Sequence, residues 1–301
     1  MKLPDLKDPN DWLYALCSII TAVLILATSV ICLGYLIVLA PSDAHVLDEG
    51  EEAVGSWLLI LCAAIFLICL ALVIRDFVRR MKGCPREERI PRYMGTAMGH
   101  SGVLFAVTAV FTIIVIGFSN LIGEAISENF IEKMSDYEII ASMLIAGPTE
   151  EIPFRMLMIG LPMVVVCAVM HRASIKDIMG GFGMSWAAFV FLIISSVAFG
   201  LVHLDGWSFM KFPDTFITGL LFGYVYIEYG LHITIVVHSA FDMMSSLEVI
   251  LGEFGEIPML ATMVLGGILL IRLCFKAKSY KPVRKVHEPF DGGLLEMWDS
   301  K

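Results

Sequence analysis

Long apolar runs separated by short polar stretches set the rhythm of this chain from residue 12 onwards. A run of about 18 or more apolar residues is long enough to cross roughly 30 Å of hydrocarbon as an α-helix. Such runs lie at 12–40, 54–75, 97–123, 138–170, 184–204, 213–230, 231–251 and 256–275. The pattern predicts an all-α fold, a polytopic membrane helical bundle of about eight transmembrane helices. Almost no loop separates the sixth and seventh runs. The first run exceeds a signal-peptide core and reads as an anchor. Residues 1–11 then form a cytoplasmic N-terminus, 12–275 a single integral-membrane domain, and 276–301 a basic cytoplasmic tail.

Composition narrows the class. Hydrophobic residues make up 58 % of the 301, charged ones only 17 %. Soluble domains are about 45–50 % apolar even with glycine counted. A water-soluble enzyme, a disordered chain and a disulfide scaffold are all excluded. The net charge of −9 argues against a nucleic-acid partner and leaves the bilayer as the surroundings. Its distribution says more. Arg75, Arg79, Arg80, Lys82, Arg86, Arg89 and Arg92 crowd one segment, and Arg272, Lys276, Lys278, Lys281, Arg284 and Lys285 crowd the C-terminal end. Acids gather instead around Asp43 to Glu52 and around Glu124 to Asp136. By the positive-inside rule both termini and the 76–93 segment face the cytoplasm of a multi-pass cell-membrane protein. The seven cysteines show no metal-type spacing and read as small core residues.

A charged side chain near mid-membrane costs about 2.5–3.5 kcal/mol on insertion scales, so polar residues inside the runs mark candidate function. The fourth run contains Gly147-Pro148-Thr149-Glu150-Glu151-Ile152-Pro153-Phe154-Arg155. Glu151 and Arg155 are four apart with the acid first, the favourable order for a helical ion pair. Glu150 points about 100° away from that pair and is left without a local partner, which suits a general base. Pro153 cannot donate to the Thr149 carbonyl, so a kink is expected there. Phe199 and His203 share a face of the fifth run, and His238 and Asp242 share one in the seventh. Glu150 and His203 are nearly equidistant from the loop around Ser174, which places them at similar depth in an antiparallel hairpin. The span boundaries leave His238 only two turns from a helix end, which fits less well. Gly219 and Gly223 form a small-residue stripe that reads as close helix packing.

On these residues the chain resembles the CAAX prenyl protease 2 type of the CPBP (CAAX protease and bacteriocin-processing) family of intramembrane peptidases. The family pattern is Glu-Glu-x-x-x-Arg, then Phe-x-x-x-His, then His-x-x-x-Asn or a variant. Here those are Glu150-Glu151 with Arg155, Phe199 with His203, and His238 with Asp242. The motif core covers 149–242, about a third of the chain. The resemblance implies an intramembrane endopeptidase in which Glu150 and His203 activate the attacking water. Glu151 and Arg155 become a structural ion pair, while His238 and Asp242 stabilise the oxyanion or hold the substrate backbone. The implied partner is a membrane-associated or lipidated polypeptide, with prenylated ends, peptide precursors and bacteriocin leaders all open. Asp242 departs from the commoner Asn, and an ionised carboxylate cannot donate to an oxyanion. The cofactor stays open between a divalent metal such as zinc, held among Glu150, His203, His238 and Asp242, and no metal at all.

Other readings compete. Gly99-His100-Ser101-Gly102 matches the Gly-x-Ser-Gly of rhomboid-type serine proteases, but that reading leaves the Glu pair unexplained. The buried acids and histidines could form the proton relay of a transporter, which predicts paired broken helices in two matching halves. A non-catalytic membrane scaffold or immunity protein is the third.

Overall fold

Each apolar run is wound into helix in a computed structural model that describes residues 9–43, 49–124, 134–169, 175–205 and 207–276. The tail expected beyond 276, most of the 1–11 segment, and the acidic positions Glu128 and Glu132 lie outside these residues. In chain order the helices are α1 (Pro9–Asp43), α2 (Glu49–Met81), α3 (Arg89–Met94), α4 (Ala97–Leu121), α5 (Asp136–Glu151), α6 (Leu161–Val169), α7 (Trp186–Val202), α8 (Lys211–Tyr229), α9 (Leu231–Ser245), α10 (Glu248–Leu251) and α11 (Glu256–Lys276). This is an all-α, multi-pass membrane protein.

The expected count of eight spans is met in part. Among the described residues five helices are long and apolar enough to cross a membrane, over Trp12–Val38, Trp57–Met81, Ala97–Leu121, Asp136–Val169 and Glu248–Arg272. The other three runs are helical but short or polar. α7 has 17 residues, α9 has 15, and α8 carries Lys211, Asp214 and Glu228 within its 19. At about 1.5 Å per residue these reach roughly 22–28 Å, less than the hydrocarbon thickness. Apolar content alone could not separate a helix facing lipid from one buried in protein.

α9 is the second kind. Twelve of its 15 residues are buried, including Thr234, His238 and Ser239, so no face is left for solvent or lipid. It packs against α1, α2, α5 and α8. The sequence boundary of 251 for this run was too long: the helix stops at Ser245, which puts His238 at its middle.

The fourth run behaves differently from a simple kink. α5 opens with a capping box, in which the Ser135 backbone N–H donates to Glu138 at 2.7 Å and the Glu138 N–H donates to the Ser135 hydroxyl at 3.4 Å. After Glu151 the chain passes into π winding over Ile152–Gly160, closed by a Leu161 N–H to Met156 carbonyl bond, and then into α6. A proline in α winding removes one bond and crowds the carbonyl four residues back; winding wider at Pro153 keeps the helix continuous. The other proline is answered from outside. Pro148 cannot donate to Leu144, and the Leu144 carbonyl accepts the Ser239 hydroxyl of α9 at 3.3 Å.

Close crossings on small residues hold the helices in register. A methyl at Gly219 would lie 3.2 Å from Ser196 Cα, and one at Gly223 would overlap Leu192, so the glycine stripe of α8 packs on α7 as expected. At Gly147 a methyl would overlap Ser239 Oγ and come within 3.1 Å of the Ile235 carbonyl oxygen. Gly147→Ala therefore wedges α5 from α9. Its expected cost is about 1–3 kcal/mol, the usual penalty of overpacking. Thermal unfolding in detergent reads it as a lowered Tm; an unchanged Tm would mean that this crossing carries no strain.

Candidate active site

At the junction of α5 and the π-wound segment, two adjacent glutamates meet opposite surroundings. Glu151 and Arg155 are fully buried. Arg155 Nε donates to Glu151 Oε2 at 2.9 Å and Nη2 to Oε1 at 3.3 Å, a forked pair. Nη1 donates to Ser195 Oγ of α7 at 3.2 Å, and that hydroxyl donates in turn to the Phe154 carbonyl at 2.5 Å. The guanidinium carbon also lies 4.9 Å from the Phe199 ring centre. Two charges in a dry interior are tolerable only when well hydrogen-bonded, and here all three guanidinium nitrogens donate. Glu151 has a second partner: His238 Nδ1 donates to Oε1 at 2.7 Å.

Glu150 faces the other way, and its side chain is 29 % exposed. Oε2 stands 3.7 Å from His203 Nε2 and 3.7 Å from His238 Nε2. Both separations exceed hydrogen-bond length, and this oxygen has no hydrogen-bond partner. His203 caps the C-terminus of α7, and its Nδ1–H donates to the Phe199 carbonyl at 2.8 Å. That bond fixes the tautomer and turns the Nε2 lone pair towards Glu150. His238 is fixed likewise by Glu151, so its Nε2 faces Glu150 and Asp242, whose Oδ2 is 3.3 Å away. Nε2 and two carboxylates this close need at least one proton among them. Phe199 packs on the His203 ring at 4.5 Å between centres, and Phe222 packs on His238 at 4.7 Å. The site is thus a carboxylate oxygen in hand, two imidazole nitrogens aimed at it, and an aromatic wall.

Residues 135–244 match a family described as Type II CAAX prenyl endopeptidase Rce1-like. This stretch is a Rce1-like domain. No curated protein and no solved structure matches the chain.

The Rce1-like domain begins at Ser135, the N-cap of α5, and ends one residue before the close of α9. All six residues singled out from the sequence lie within it, and the fold brings Glu150, Glu151, Arg155, His203, His238 and Asp242 into one cluster. The serine alternative falls away on contacts. Ser101 Oγ is buried without a hydrogen-bond partner, so it forms no Ser–His pair. Gly99 and Gly102 serve packing, since added methyls would press on the Tyr93 and Ser18 backbones. The transporter alternative expected matching broken helices, and among the described residues one π-wound stretch occurs. A metal ion was the other open question. Among the described residues no group of three or more His, Cys, Asp or Glu side chains is arranged to ligate one ion. The donors present do not form a metal set in this arrangement, and no step below runs through a metal.

Three features escaped the sequence. The Glu151–His238 bond joins residues 87 apart, and nothing local signals it. Ser195 is one of two adjacent serines in α7, and spacing alone does not single it out. Asp214 is buried at the start of α8, where it accepts from Thr112 at 2.7 Å and from Lys211 at 3.1 Å. With Lys211 lying 4.4 Å over the Trp207 ring, this ties the segment after His203 to α4.

Proposed function

We propose that this chain is an intramembrane endopeptidase that hydrolyses a peptide bond in a membrane-associated or lipidated polypeptide. The observation that carries it is the Glu150 carboxylate oxygen Oε2, buried and without a hydrogen bond on a side chain that is partly exposed, with two histidine nitrogens at 3.7 Å. A water held by Oε2 and by His203 Nε2 gives a proton to Glu150 as its oxygen attacks the carbonyl carbon. The developing oxyanion is met by His238, which in this reading donates from both nitrogens. Asp242 orients that ring and takes no direct part, which accounts for a carboxylate where asparagine is commoner in the family. Collapse of the tetrahedral intermediate breaks the C–N bond, and the proton on Glu150 passes to the leaving amine. Atoms and charge balance without a covalent enzyme intermediate. In this reading 12–275 is one peptidase unit around the 149–242 core, with both termini and the basic segment on the cytoplasmic face.

The test is mass spectrometry of a peptide and lipopeptide library incubated with detergent-purified protein, with and without a chelator. New termini are expected with the parent protein. With His203→Ala they should form about 10²–10⁴-fold more slowly, the usual contribution of a positioned acid–base group. Cleavage by folded His203→Ala at the parent rate would remove this reading.

A further inference from the structure

The chemistry above leaves the basic end of the bundle unused. From the last turns of α2 to the start of α4 the chain carries seven basic residues against three acids, Asp76, Glu87 and Glu88, although its net charge is −9. Arg75, Arg79, Arg80, Lys82, Arg86, Arg89 and Arg92 are all exposed. Two have acidic partners: Arg80 pairs with Asp76 at 2.9 Å and Arg92 with Glu88 at 3.0 Å. Among the described side chains, Arg79, Lys82, Arg86 and Arg89 make no ion pair. Unpaired like charges repel one another, so a segment that holds four together needs something to hold it.

The fold supplies it. Cys84, Pro91, Tyr93 and Met94 are buried beneath the segment. Arg92 Nη1 donates to the Arg80 carbonyl at 3.5 Å, which ties α3 to the end of α2. The Tyr93 hydroxyl donates to the Ser18 carbonyl of α1 at 3.2 Å. These anchors hold in place the segment that carries the four cations. They also set them at a boundary: one membrane-crossing helix ends at Met81 and the next begins at Ala97. One turn further into α2, Ile74 and Val78 are 43 % and 53 % exposed. Apolar side chains below and cations above match a phospholipid, with acyl chains against the first and a phosphate against the second.

We propose that this surface is a binding site for anionic phospholipid headgroups, built by the 79–92 segment on the end of α2. Simple orientation by charge needs only loose basic residues; a packed scaffold that presents them in place goes further. The site is independent of the peptidase reading, and its test reads binding. Fluorescent short-chain phosphatidylglycerol and phosphatidylcholine are titrated into the detergent-solubilised full chain, with glycerol 3-phosphate as a competitor. The expected result is binding of phosphatidylglycerol at least tenfold tighter than phosphatidylcholine. In Arg79→Gln/Lys82→Gln/Arg86→Gln/Arg89→Gln that preference should vanish. If the quadruple variant does not fold, Arg79→Gln/Arg86→Gln should weaken phosphatidylglycerol by at least ~fivefold, the effect of one such charge near a bilayer surface. Equal affinity for the two lipids, or an unchanged preference in the folded variants, would overturn the site. Competition by glycerol 3-phosphate as strong as by the lipid would overturn it too, in favour of a soluble phosphate ligand.

Discussion

Glu150→Gln is expected to lower peptide hydrolysis by at least ~10³-fold while leaving the fold intact. The two side chains have the same shape, so no cavity opens and no packing is lost. Nothing structural hangs on the charge either. Oε2 makes no hydrogen bond, its nearest nitrogens stand 3.7 Å away, and the side chain is 29 % exposed. A neutral amide, however, cannot take a proton from water. Loss of a general base costs about 10²–10⁴-fold, and a thousandfold is about 4 kcal/mol of transition-state stabilisation. The amide also presents two donors towards His203 Nε2, which competes with the water for the same lone pair. The measurement is kcat/KM on a cleavable peptide, beside Tm in the same detergent. A variant within tenfold of the parent would show that Glu150 is not the base. A large fall in both rate and Tm would place Glu150 in the fold instead. The neighbouring glutamate makes the contrast: Glu151, one residue on and fully buried, should lose stability first when altered.

Local spacing made part of this site legible. Glu151 with Arg155, Phe199 with His203, and His238 with Asp242 are each four apart on one helix face, and a helix fixes such neighbours without help from the rest of the fold. The cost of charge in hydrocarbon picked these residues out from an otherwise apolar chain. Contacts between helices were not legible, because side-chain direction across an interface depends on crossings set by small residues far apart in sequence. Gly147 against Ser239 and Gly219 against Ser196 set two of them. The Glu151–His238 bond follows from the first crossing and was therefore invisible. Pro153 was seen, but its consequence was a wider winding and not a plain kink, since the chain could keep its helix by reaching five residues back. The difference between eight apolar runs and five long apolar helices has the same origin. A run such as 231–251 is apolar because protein surrounds it, and hydropathy gives the same reading for protein and for lipid.

Arg155→Met should be the most destabilising single change in the site. It removes the fork from Glu151, leaving a fully buried carboxylate with the His238 Nδ1–H as its remaining partner among those seen, and it frees Ser195 from the guanidinium. Breaking a buried pair on one side costs about 3–5 kcal/mol, because the surviving charge stays out of water. The packing of the guanidinium against Phe199 at 4.9 Å goes as well. Removing both charges is a different matter. In Glu151→Leu/Arg155→Leu no unpaired ion remains, and replacement of a buried pair by apolar residues is often neutral or favourable. What is left unsatisfied is the His238 Nδ1–H, a loss of about 1–3 kcal/mol. The double variant should therefore recover much of the Tm lost in Arg155→Met. It should not recover hydrolysis, since without Glu151 the His238 Nδ1–H has lost its acceptor and Asp242 alone is left to aim the ring. Stability and activity would part company, which a purely structural ion pair does not predict. Two results would count against the argument: a folded Arg155→Met with a parental Tm, or a double variant that hydrolyses peptide within tenfold of the parent. The first would show that the pair is wetter than its burial indicates; the second would release His238 from any dependence on Glu151.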